Sequence, residues 1–190
     1  MTKNILILID IWDKFDEDTV QKKKKNICEF INHIADHPDW IIYYNDVDSE
    51  LDSKVANCLL TVPNAVCTND PSEVFCTRDY PVTYYYGGFA ANVCLLYRSI
   101  GICQMFKRAN DYKFYIVSDF TCATKIKYEF EKDHIARLNT DIDLFDLENL
   151  KYYKIDDFDN NTASHYYDYE NILITALLSN KISVNQILLG

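Results

Sequence analysis

The chain opens on five consecutive aliphatic residues, Ile5 to Ile9, with polar residues before them and Asp10 after. An unbroken apolar run of that length predicts a strand buried on both faces. From Thr19 to His37 the period changes: Val20, Ile27, Phe30, Ile31 and Ile34 recur at helical spacing, and Pro38 follows the end. Trp40 to Tyr44 reads as a second strand, Lys54 to Leu60 as a short helix and Ala65 to Thr68 as a short strand. Val82 to Tyr86 is a strong β-forming run that stops at Gly87-Gly88. A helical pattern over Ala91 to about Ala109, a strand over Lys113 to Val117, a helix over Thr124 to Leu138 and a sixth strand over Ile142 to Phe145 follow. Strands alternating with helices predict β-α-β crossovers. The expected fold is an α/β three-layer sandwich, a mostly parallel sheet of about six strands with helices on both faces.

Size fits one domain over 1–190. Its last stretch, 152–190, is acidic and Tyr-rich before turning apolar, and reads as a C-terminal extension packed on the domain or on a partner subunit. With only 4 Gly and 4 Pro, linkers are not expected.

Charge excludes one class of partner. The formal net charge is -10, so the average field repels nucleic acid. Lys22 to Lys25 lie close to Asp13, Asp16, Glu17 and Asp18, and read as a solvated helix face. The 15 tyrosines are assigned to packing, because stacking platforms for nucleic acid come with positive charge. The 7 cysteines form no CxxC pair, which points away from zinc ribbons and disulfide frameworks and towards a reducing, cytoplasmic setting. The opening apolar run is too short for a signal-peptide core or a membrane span. No cofactor and no metal are expected: Asp46 and Asp48 read as solvated loop acids, and no histidine lies between His37 and His134.

In a parallel sheet, ligands gather outside the carboxyl ends of the strands. Asp10 closes the first strand, Asp119 follows the strand Lys113 to Val117, and Gly87 to Cys94 is a strand-to-helix turn. That turn puts the Cys94 thiol in the first turn of a helix. Unpaired N–H groups there favour the thiolate and can receive an oxyanion. Position alone also fits a small apolar filler.

Four segments resemble the isochorismatase-like cysteine hydrolases. Ile5-Leu6-Ile7-Leu8-Ile9-Asp10-Ile11-Trp12-Asp13-Lys14-Phe15 looks like the family's first strand with its catalytic Asp. Gly88-Phe89-Ala90-Ala91-Asn92-Val93-Cys94 is similar to the nucleophile motif Gly-Val-Ala-Thr-Asp-Val-Cys. Tyr115-Ile116-Val117-Ser118-Asp119-Phe120-Thr121-Cys122-Ala123 resembles the next strand, and Asp133-His134-Ile135-Ala136-Arg137-Leu138 the helix after it. The resemblance spans roughly residues 4 to 150.

It implies a small-molecule hydrolase in which Cys94 attacks an amide or related C–N bond, with Asp10 taking its proton. It also implies a cis peptide before Ala90, with the N–H groups of Ala90 and Cys94 facing the oxyanion. The family's triad includes a lysine, and the matching position, Val66-Cys67-Thr68-Asn69, has none. Lys54 and Arg78 are the nearby cations, and Lys54 reads as a surface residue. The alternative reading is therefore a catalytically degenerate relative that binds a metabolite or a protein partner. Relatives often pair near the pocket, so a homo-oligomer is a further expectation. A nucleotide-binding flavodoxin-like domain is disfavoured, since no Gly-rich loop follows the first strand.

Overall fold

A computed structural model describes residues 2–14, 18–47, 49–75, 81–89, 94–102, 104, 113–122 and 181–189. Six strands are found among them: β1 (Lys3–Ile9), β2 (Trp40–Tyr44), β3 (Ala65–Cys67), β4 (Val82–Gly88), β5 (Lys113–Thr121) and the two-residue β6 (Lys181–Ile182). Helices α1 (Asp18–Ile34), α2 (Ser53–Leu60), α3 (Pro71–Val74), α4 (Cys94–Tyr97) and α5 (Val184–Leu189) accompany them. The sheet order is β3-β2-β1-β4-β5-β6 and every pairing is parallel. The chain is an α/β protein.

Ile5, Leu6, Ile7, Leu8 and Ile9 are all fully buried. Successive strand side chains point to opposite faces, so both faces of the sheet are covered at β1. Helix α1 covers one of them. Its Phe30 ring lies 5.3 Å from Trp40 and 5.2 Å from Phe120, and Trp40 continues the aromatic layer to Tyr85 at 5.1 Å. On the other face, Phe75 just after α3 packs at 5.8 Å on Tyr84, and the Tyr86 hydroxyl donates to Ile100 O after α4.

Asp52 builds the junction of α1 and α2. Its carboxylate caps α2 by accepting from Lys54 N and Val55 N, and pairs with Lys24 Nζ at 2.9 Å. Both side chains are nearly inaccessible, 2% and 4% exposed. Lys24 thus departs from the expected solvated lysine face, because helical periodicity turns this one position of the run inward. Lys22 and Lys25 are exposed, and Lys23 donates to Ser118 O.

Three elements differ from the sequence expectation. Strand β4 runs on through Gly87 and Gly88 instead of stopping before them. A Cβ on Gly88 would stand 2.2 Å from Ile9 O, so only glycine lets β4 reach the end of β1. Strand β5 runs on to Thr121, past the expected end at Val117, through a register shift opposite Tyr86 and Gly88. The helix expected from Ala91 to about Ala109 is interrupted: after α4 the chain turns at 98–101, where Gly101 N donates to Arg98 O at 2.7 Å, and Ile102 and Gln104 are helical again. Ser99 and Gly101 both favour such a break. The expected helix over Thr124 to Leu138, the strand over Ile142 to Phe145 and most of the C-terminal extension lie outside the described residues. Among the described residues no helix is long and apolar enough to cross a membrane.

Candidate functional site

The strand order reverses between β1 and β4, and a parallel sheet opens its ligand crevice at such a reversal, beyond the carboxyl ends of the strands. Asp10 leaves β1 at this place, and Cys94 begins α4 after β4 leaves it. The approach permitted by Gly88 is sealed by Phe89 N donating to Ile9 O at 3.1 Å.

Asp10 is 1% exposed and adopts a left-handed backbone, with φ of 51°. Asp tolerates this region better than most residues, at a cost on the order of 1 kcal/mol. Asn45 offsets that cost. Its Nδ2 donates to Asp10 Oδ1 at 2.6 Å, while its Oδ1 accepts from Asp10 N at 2.7 Å. Asn45 is itself 2% exposed and anchored by its own N–H on Leu8 O. This single side chain fixes both the carboxylate and the backbone of Asp10.

The second carboxylate oxygen takes a cation. Arg98 Nε donates to Asp10 Oδ2 at 2.9 Å. The Cys94 side chain, one helical turn back, also acts on Arg98 and favours its charged form. Burial, the largest influence on its guanidinium, would lower its pKa; the Asp10 carboxylate and the Cys94 sulfur together outweigh burial and hold it above the ordinary arginine value. Arg98 therefore stays charged at every physiological pH, paired with Asp10 and favoured in that form by Cys94. Position explains it: residues four apart share a helix face, and α4 stops at Tyr97, leaving Arg98 at its carboxyl end, where cations are favoured.

Trp12 completes this region. Arg98 Cζ lies 5.7 Å from its ring centroid, and Lys14 Nζ sits over the same ring at 4.0 Å. The loop carrying Trp12 is laced to the loop before α2 by an isolated bridge with Leu51, by Asp13 N on Glu50 O and by Asp52 N on Ile11 O.

Asp10 and Cys94 thus both act on the charge of Arg98, Asp10 through an ion pair. Lys54 is not part of the group: it is exposed in the first turn of α2. Ala90, Arg78 and His134 lie outside the described residues. Cys94 is 3% exposed. Asp119, expected just past its strand, lies inside the longer β5 instead; it accepts from Val184 N through Oδ2 and lines a separate cavity of about 320 Å³ between α1 and α5. Among the described residues no cluster of three or more His, Cys, Asp or Glu is arranged to hold a metal.

Sequence reasoning passed over Arg98 and Asn45. Arg98 has a signal in its four-residue spacing from Cys94, but it lies on the far side of the nucleophile from the segment where the family's lysine falls. Asn45 is the first residue after β2, the strand beside β1, and became significant only once that pairing was fixed. Comparison of the chain with protein-family models, curated proteins and solved structures finds no match in any of the three.

Proposed function

We propose that the chain is a small-molecule hydrolase of the isochorismatase-like type, with Cys94 as nucleophile, Asp10 as its base and Arg98 in the place of the family lysine. The observation carrying this reading is that Arg98 is ion-paired with Asp10 and acts electrostatically on Cys94, one helical turn before it, at the point where the strand order reverses. Asp10 takes the thiol proton, and the thiolate attacks the carbonyl carbon of an amide. The resulting oxyanion is received by the backbone N–H groups of Ala90 and Cys94, the pair that the resemblance implies. Collapse expels the amine, which leaves with the proton held by Asp10, and a thioester remains on Cys94. Water then attacks the thioester, Asp10 accepts a proton from it, and the carboxylic acid departs with the thiol restored. A guanidinium does not give up its proton at neutral pH, so Arg98 supplies charge and position and Asp10 handles every proton.

The burial of Cys94 favours a second reading, a relative that keeps the constellation as a binding site for a metabolite or protein partner. Alkylation of the native protein separates the two. The hydrolase reading expects Cys94 to react first among the seven cysteines at neutral pH, and a panel of small amides to leave an acyl adduct on Cys94 that mass spectrometry detects. Slow, even labelling of all seven, with no adduct from any amide, contradicts it and leaves the binding reading.

A further inference from the structure

The geometry points to Asn45 as a positioning residue that sorts the two carboxylate oxygens of Asp10, holding Oδ1 for itself and leaving Oδ2 to carry protons. The inference deepens the proposed function and rests on Asp10 being the base.

An amide has a donating end and an accepting end. Asp10 N can only donate, and it meets Asn45 Oδ1 at 2.7 Å. That bond settles the other end, so the atom 2.6 Å from Asp10 Oδ1 is the donor Nδ2. A flipped amide would set N–H against N–H at Asp10 N. The backbone keeps the amide in register: Asn45 N donates to Leu8 O at 3.2 Å, just beyond Tyr44, where the pairing of β2 with β1 ends.

Oδ2 faces α4. It accepts from Arg98 Nε at 2.9 Å, and Arg98 N donates to Cys94 O at 3.0 Å, so Arg98 and Cys94 belong to one helical turn. The partner of Oδ1 is shut away from solvent, Asn45 being 2% exposed, whereas the Arg98 side chain is 30% exposed. A proton placed on Oδ1 would oppose the Nδ2–H donor. A proton on Oδ2 leaves Oδ1 as the carbonyl oxygen, which goes on accepting from Nδ2, so Asn45 keeps both its bonds in either protonation state. In the first proposed step the Cys94 S–H bond breaks, its electron pair stays on sulfur, and an O–H bond forms at Oδ2. That O–H bond breaks when the proton leaves on the amine, and its electron pair returns to Oδ2. Arg98 keeps all its protons throughout.

Exchanging the two residues tests the assignment. In the double variant Asp10→Asn/Asn45→Asp, the new carboxylate accepts both from the backbone N–H of position 10 and from the new amide. The oxygen of that amide then takes the Oδ2 place beside Arg98. The urea midpoint of the double variant should rise above that of Asn45→Asp alone. Iodoacetamide alkylation of Cys94 at neutral pH should stay roughly tenfold or more below wild type, as in Asp10→Asn, because the carboxylate now stands where Asn45 stood. A double variant no more stable than Asn45→Asp would overturn the proposal, since the amide and Oδ1 would not be partners. So would a rate that is slow in Asp10→Asn and back at the wild-type value in the double variant; Asp10 would remain the base, and the sorting of its oxygens would be lost. A wild-type rate in Asp10→Asn itself removes the base, and the role of Oδ2 with it.

Discussion

Asn45 shows how much one side chain can determine. An aspartate held in a left-handed backbone, almost out of reach of solvent, needs both its carboxylate and its N–H satisfied, and Asn45 does both with one amide. Asn45→Ala leaves these buried groups unpaired and should cost about 2–4 kcal/mol, read from denaturant unfolding. Asn45→Asp keeps the shape and sets a second carboxylate where Nδ2 stood, 2.6 Å from Asp10 Oδ1. Like charges that close share a proton, so this variant should lose stability as pH rises through the carboxylate range. Equal stability of wild type and Asn45→Asp at neutral pH would show that the amide contact is not what holds Asp10. Asp10→Asn is the matched probe on the other side, since Asn also tolerates the left-handed region and only the charge is lost.

Between elements, two contacts decide whether the site assembles. The first is the approach of β4 to β1 at Gly88. Gly88→Ala puts a methyl group into the Ile9 carbonyl, and nothing flexible stands there to give way. The expected loss is at least about 2–3 kcal/mol, with slower Cys94 alkylation in any folded fraction, because the strand ends are pushed apart. The second is the Lys24–Asp52 pair between α1 and α2. Lys24→Met strands a buried carboxylate and should cost about 3–5 kcal/mol. Burial is the largest influence on Asp52 and opposes its ionisation, but Lys24 and the two α2 N–H groups prevail and hold its pKa below the ordinary carboxylate value. The stability it contributes is therefore present above the ordinary carboxylate pKa and is lost as pH falls through the depressed folded value. Asp52→Asn should flatten the acid end of the stability curve measured by urea unfolding at a series of pH values. An unchanged acid limb would remove Asp52 from that role.

Legibility in the sequence followed the same division. Elements announced by long periodic runs, β1, α1 and β2, were readable because burial alone dictates their pattern. Ends set by backbone approach were not. The extension of β4 through two glycines depends on what lies beside Gly88, and a glycine pair reads as a turn until its neighbour is known. The break after α4 was signalled only by Ser99 and Gly101, which apolar residues on either side mask. At the site, Asp10 and Cys94 stood out through position and motif. Arg98 was hidden by its ordinary helical setting, Asn45 by its small polar side chain, and Lys24 by a run of four lysines of which one turns inward.

On the scale of the whole molecule, the parallel order β3-β2-β1-β4-β5-β6 is what brings the pieces to one place. Reversal of the order between β1 and β4 opens the sheet edge over which Asp10, Asn45, Trp12, Cys94 and Arg98 are gathered from three separate stretches of chain. The net charge of -10 surrounds this small group, where Arg98 supplies the positive charge that Asp10 and Cys94 share. A neutral side chain at position 98 would remove that charge from both groups. The Arg98 bridge is tested most directly by the rate of Cys94 alkylation by iodoacetamide at neutral pH, compared between wild type, Arg98→Lys and Arg98→Met. Slowing of roughly tenfold or more in Arg98→Met with partial recovery in Arg98→Lys is the predicted result. An unchanged rate in Arg98→Met, with the fold intact by circular dichroism, would contradict it.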